Sequence, residues 1–206
     1  YVELQNIKVY DTVDDLKNAE NLVNGNYAQT MGYYEINDNG GATYLIRTIT
    51  NEDVIDNKKI IGIVNDVTLV AELLYDKINV KAWGVVGDGE TDDTDAINYC
   101  LNNVSQNANI VYFPDGIYLI DGIAREYVDG LWNLTGKGLI VKSNTKIEMA
   151  KNCVIKQTGG TDYPSSVIFN LYNIESCLFS RNFILSHYRR GCIFHRILYS
   201  RRRVLR

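Results

Sequence analysis

A chain of 206 residues, 46% hydrophobic and 22% charged, has the composition of a soluble globular protein with room for one or two modest domains. It has no run of about 18 apolar residues, so neither a transmembrane helix nor membrane insertion is expected. The opening Tyr1-Val2-Glu3-Leu4-Gln5 lacks the basic and apolar regions of a secretory signal, although a chain opening on Tyr1 leaves room for a lost leader.

The net charge of −4 hides an asymmetry. From Ser176 onward there are eight arginines (Arg181, Arg189, Arg190, Arg196, Arg201, Arg202, Arg203, Arg206) and no acidic residue, so all 25 acids lie earlier. His187 and His195 fall in the same tail. The four cysteines, Cys100, Cys153, Cys177 and Cys192, are far apart and form no CxxC pair. That spacing fits neither a zinc site nor a disulfide framework, and buried free thiols are expected.

In chain order, Thr12 with Asp15 three residues on has the spacing of a capping box and predicts a short helix at Val13–Lys17. Tyr27–Thr30, Tyr33–Ile36 and Thr43–Thr48 are rich in Tyr, Thr and Ile and lie between turn residues, which predicts hairpin strands. Ile60–Val64 and Thr68–Leu74 are further apolar runs, and Leu69–Leu74 suits either a strand or a short helix. Ala96, Ile97, Cys100, Leu101 and Val104 share one helical face, which predicts a helix over about 92–104 capped by Thr91 or Asp92. Its acidic start, Asp92, Asp93 and Asp95, suits the positive end of the helix dipole.

Beyond that helix, Ile110–Phe113 and Ile117–Ile120 read as strands around Pro114-Asp115-Gly116. A loop is expected around Asp121–Lys137. Short strands are then expected at Leu139–Val141, Lys146–Met149, Val154–Lys156 and Val167–Asn170, with another starting at Ile174. Short strands at this spacing suit a sandwich or a solenoid equally.

One segment separates the two. Ala82-Trp83-Gly84-Val85-Val86-Gly87-Asp88-Gly89-Glu90-Thr91-Asp92-Asp93-Thr94-Asp95-Ala96-Ile97, followed by Ile110-Val111-Tyr112-Phe113-Pro114-Asp115-Gly116-Ile117-Tyr118-Leu119-Ile120, closely resembles the opening of the pectate-lyase-like β-helix superfamily. About 40 residues match, in order and spacing. Val85-Val86 depart from the small residue usual before Gly-Asp-Gly. The earlier block, with Asp11–Leu16, Gly32-Tyr33-Tyr34 and Gly40–Tyr44, looks like the small domain that often precedes the β-helix in phage tail spikes.

The resemblance implies a mainly β fold: the start of a right-handed parallel β-helix with an N-terminal capping helix, behind a small mixed β-rich domain. The implied division is a head-like domain at 1–79, the β-helix start at 80–175 (cap helix about 92–104, first rungs 110–175, at roughly 20 to 30 residues each) and an aberrant arginine-rich tail at 176–206. For that tail a frameshift is the favoured explanation, and a basic arm for nucleic acid or an anionic membrane is the rival.

Asp88, Asp92 and Asp93 form an acidic cluster. A Ca²⁺ site or a carboxylate pair is one reading; a Gly-Asp-Gly turn followed by a helix cap is preferred, because the spacing is not that of an EF-hand. Gly84–Gly89 and Thr135-Gly136-Lys137-Gly138 do not fit phosphate loops. The 15 tyrosines suit either sugar stacking or ordinary strands. Asp121, Glu126, Asp129, Glu148 and Asp162 are available acids, but no spacing marks a glycosidase pair. No catalytic, cofactor-binding or metal-binding residue is therefore assigned, and no cofactor and no nucleic-acid partner is expected.

The functional expectation from the resemblance is a tail-spike or tail-fibre component that adsorbs to a bacterial surface polysaccharide. It would act as a homotrimer with other virion tail proteins, with hydrolase or lyase activity in rungs beyond this chain. The alternatives are a non-enzymatic virion protein and a secreted polysaccharide lyase or hydrolase of a cellular organism.

Overall fold

The computed structural model describes residues 7–105, 110–121, 124–128, 131–135, 138–141, 145–158, 169–170, 177–179 and 185–187. It is mainly β, with few helices.

The first block begins with β1 (Lys8–Tyr10) and α1 (Val13–Lys17). The Thr12 hydroxyl accepts the Asp15 N–H and the Asp15 carboxylate accepts the Thr12 N–H, completing the capping box. The helix buries Val13 and Leu16. Then come β2 (Tyr27–Thr30), β3 (Thr43–Thr48), β4 (Ile60–Gly62) and β5 (Leu69–Leu74), in one sheet of order β1-β2-β3-β5-β4. Only the β1–β2 pair is parallel. The stretch Leu69–Leu74 is a strand and not a helix, because β3 and β4 pair with it on both sides.

Tyr33–Ile36 is not the strand its composition suggested. Asp38 accepts hydrogen bonds from the backbone N–H groups of Tyr33, Tyr34, Glu35 and Gly40. Those donors would otherwise serve a ladder, and an Asp side chain competes well for them.

The second block returns repeatedly to the same sheets. β6 (Ile78–Asn79) runs into a 3-10 turn at Val80–Trp83, then β7 (Asp88–Asp92) and α2 (Thr94–Asn102). β8 (Ile110–Phe113) and β9 (Gly116–Asp121) follow, then a hairpin of β10 (Ala124–Val128) and β11 (Leu131–Thr135). β12 (Leu139–Ile140), β13 (Thr145–Met149), β14 (Cys153–Thr158), β15 (Phe169–Asn170), β16 (Cys177–Phe179) and β17 (Leu185–His187) complete the chain. Three all-parallel sheets result, with orders β6-β8-β13-β16, β7-β9-β14-β17 and β12-β15. From β12 onward the chain visits them in strict rotation, third, first, second, twice over.

The repeat is longer than the 20 to 30 residues expected. Lys146 pairs with Ile110, 36 positions earlier, and Leu178 pairs with Lys146, 32 positions later. The first repeat contains the β10–β11 hairpin, which stands where a loop was expected. Parallel pairing also crosses the compositional break at Ser176, through β16 and β17. All eight tail arginines, and the strand expected from Ile174, lie outside the described residues.

Alternation sorts the side chains. Val111, Phe113, Ile147, Met149, Tyr118, Ile120, Cys153 and Ile155 are buried, and their neighbours Tyr112, Lys146, Glu148 and Val154 are not. The buried cluster is continuous from Val13 to Ile155, so the first block and the parallel sheets share one core. Trp83 is fully buried there, 5.1 Å from the Tyr75 ring edge-on and 5.9 Å from the Tyr99 ring. Cys100 and Cys153 are buried free thiols, and burial pushes both up to about 12. Among the described residues no helix is long and apolar enough to cross a membrane.

Candidate functional site

The acidic segment before α2 separates into three structural tasks. The Asp88 carboxylate accepts the N–H groups of Glu90 and Thr91 and the Thr91 hydroxyl, closing the turn around Gly89. The Thr91 N–H, then that of Glu90, holds the Asp88 carboxyl below its ordinary range. Asp92 accepts the Thr94 N–H at 2.9 Å. Asp93 occupies the N-cap position of α2, where Thr91 or Asp92 was expected, but makes no cap bond with its side chain. Its carboxylate is buried and accepts the Val86 and Gly87 N–H groups, each at 2.9 Å. Burial raises the Asp93 pKa despite those two donors, and nearby Asp88 and Asp92 add to the rise. The three carboxyls thus serve three different sets of backbone donors. Among the described residues no group of His, Cys, Asp or Glu side chains is arranged to hold a metal ion.

Of the five acids noted in the sequence, Glu148 has a described side chain. Asp121 and Glu126 are placed by backbone only, on β9 and β10, and Asp129 and Asp162 lie outside the described residues. Glu148 points outward from β13 and pairs with Lys146 at 2.6 Å, both partly exposed. The parallel register sets it beside Tyr112 of β8. On the far side of that ring, in the preceding rung, the Lys77 ammonium sits 4.2 Å from the ring centre. Lys77, Tyr112, Glu148 and Lys146 therefore form one outward polar row across adjacent strands, spaced at about 4.8 Å. Sequence reading missed Tyr112, Lys77 and Lys146. Alternation marks Tyr112 as outward, but only the register shows which residues stand beside it.

Such a row presents donors from the two ammonium groups, an acceptor carboxylate, and a phenol that does both. That inventory matches hydroxyl-rich ligands. The row is built on strands rather than loops, so its spacing is set by the sheet.

A family model described as rhamnogalacturonase A/epimerase, pectate lyase-like, matches residues 77–187, just over half of the chain. The chain belongs to that family. The match starts just before β6 and ends with β17, so it contains every strand of the three parallel sheets. Over 100 residues the chain is 40% identical to alginate lyase 7 of Azotobacter vinelandii, covering 47% of this chain and 11% of that protein. Over 93 residues it is 33% identical to the uncharacterized protein YclG of Bacillus subtilis, covering 45% of this chain and 16% of that protein. Among solved structures, the tailspike protein of Acinetobacter baumannii phage AM24 matches with a TM-score of 0.54 at 15% identity, covering 85% of this chain and 32% of that one. That likeness is one of fold, and its alignment extends beyond the family segment. The chain thus spans a third or less of the length of each of these relatives.

Proposed function

We propose that this chain works within a phage tail-spike or tail-fibre protein that adsorbs to a bacterial surface polysaccharide. The observation that carries the reading is the repeated return of the chain to the same parallel sheets, inside a segment matched by a pectate-lyase-like family. The fold shared with a phage tailspike supports the virion assignment, and the identity to an alginate lyase supports a polysaccharide as the ligand. Cleavage of that polysaccharide, by hydrolysis or elimination, belongs in this reading to rungs outside the described residues. Fold does not choose between binding and cleavage.

The same proposal has residues 1–79 as a head-like block, 80–175 as the opening of a right-handed solenoid, and 176–206 as an arginine-rich tail whose reading frame resequencing of the coding DNA tests. In it, α2 covers the end of the solenoid, where an open end would expose core and strand edges. Three points support that role for α2. Ile97, Cys100 and Leu101 are buried, the Asn98 amide donates to the Gly138 carbonyl, and the Asn98 carbonyl oxygen accepts the Ile140 N–H. The working assembly is a homotrimer joined to other tail proteins.

The test is affinity electrophoresis of the protein through gels containing purified bacterial capsular polysaccharides, with assays for reducing ends and unsaturated sugars. Retardation by at least one polysaccharide without turnover is expected for this chain. Turnover by the chain itself would overturn the placement of cleavage elsewhere, and no retardation by any polysaccharide would overturn the adsorption reading.

A further inference from the structure

Resting on that reading, we propose that the outward row Lys77–Tyr112–Glu148–Lys146 is a carbohydrate subsite, in which a glycan chain lies along the stacking direction with one sugar per rung.

Three features carry it. First, the row is in register: Glu148 stands directly beside Tyr112, and Lys146 beside Ile110, on adjacent parallel strands. Neighbouring strands lie about 4.8 Å apart, close to the length of one sugar ring, so successive sugars meet successive rungs. Second, the polar groups alternate along the row: ammonium, phenol, carboxylate paired with ammonium. A carboxylate accepts from sugar hydroxyls, an ammonium donates to hydroxyl and ring oxygens, and a phenol does either. Third, the row is held before any ligand arrives. The Lys77 ammonium lies 4.2 Å above the Tyr112 ring and the Lys146–Glu148 contact is 2.6 Å, so less side-chain freedom is lost on binding.

Lys77 has a further consequence. It lies in the short connection between β5 of the first block and β6 of the first parallel sheet. In the next rung-forming element, the Asn79 amide donates to the Asn39 carbonyl of the first block at 2.8 Å. The end of the row is therefore positioned by the junction between the two blocks. Glycan binding here depends on the first block being seated, although that block supplies no described contact from its own sheet.

The test uses Lys77→Gln, Tyr112→Phe and Glu148→Gln in the full chain, with Lys151→Gln as a charge control on an exposed turn residue. Each is read by affinity electrophoresis in gels cast with purified bacterial capsular polysaccharides, after thermal melts confirm folding. The expected result is a loss of at least about fivefold in affinity for each row variant, with Lys151→Gln unchanged. If the parent chain is retarded and all three row variants bind within about twofold of it, the subsite is wrong and the adsorption reading stands. If no polysaccharide retards the parent chain, the adsorption reading fails and the subsite fails with it.

Discussion

The Tyr99 hydroxyl, on α2, donates to the Asp56 carboxylate, in the turn before β4, and ties the helix to the first block across 43 residues of sequence. Asp56 also accepts the backbone N–H groups of Lys58, Lys59 and Ile60. The Lys58 ammonium lies 4.8 Å from the centre of the Tyr99 ring. Burial alone would raise the Asp56 pKa, but Tyr99 and the three backbone donors outweigh it and bring it below the ordinary value of 3.8. Tyr99→Phe should therefore cost about 1–2 kcal/mol, through loss of a hydrogen bond to a charged acceptor. Urea unfolding at pH 7 measures it. Because the two blocks share a core, the parent and the variant should each unfold in one transition; two separated transitions would show that the junction does not couple them.

Asp38 governs the turn that replaces a strand at Tyr33–Ile36. Burial opposes its charge, but the N–H groups of Tyr34, Gly40, Tyr33 and Glu35 together hold its pKa below 3.8. The sign follows directly. A carboxyl whose folded pKa lies below its unfolded one contributes stability that is present above pH 3.8 and is lost as pH falls through the folded value. Asp38→Ala should cost about 1–3 kcal/mol at pH 7 and clearly less near pH 2. Denaturant titrations of both proteins at the two pH values check this, and an equal cost at both would refute the assignment.

Gly87 and Gly25 make a matched pair. Both have positive φ, +64° and +90°. A Cβ at Gly87 would stand 2.6 Å from Cε1 of buried Tyr118, whereas one at Gly25 would meet nothing within 4 Å. Gly25→Ala should cost about 1 kcal/mol of backbone strain, and Gly87→Ala about 2–4 kcal/mol once the clash is added. Thermal or urea unfolding of the two variants measures the difference. Equal losses would mean that Tyr118 moves aside without cost.

Cys100 and Cys153 should resist thiol reagents in the folded protein. Both are fully buried, and burial pushes each thiol up to about 12, so little thiolate exists at neutral pH. Peptide mapping after brief alkylation at pH 8 should find both unmodified, and both labelled in 6 M urea. Native labelling of either would show that its sheet opens readily.

Much was legible in the sequence. Thr12 and Asp15 determined the start of α1 because a capping box is a contact within four residues. The Ala96–Leu101 pattern determined α2, and the Gly-Asp-Gly and Phe-Pro-Asp-Gly segments together pointed to the family. Local signals failed where partners were remote. The loop expected at Asp121–Lys137 contains Asp129-Gly130 between two runs of alternating residues, a hairpin signal that was present in the sequence but passed over. Asp93 fitted a cap by spacing, yet its carboxylate reaches back to Val86 and Gly87.

By itself, then, the sequence determined the capped turns, the helical and strand periodicities and the family, since each depends on residues near one another along the chain. Only the tertiary structure decided the register that sets Tyr112 beside Glu148, the repeat of more than 30 residues in Ile110–Lys146–Leu178, and the common core around Trp83. Those depend on which strand pairs with which across a closed turn of chain. A shift of one residue in any of them would exchange inward and outward faces while leaving every local pattern unchanged.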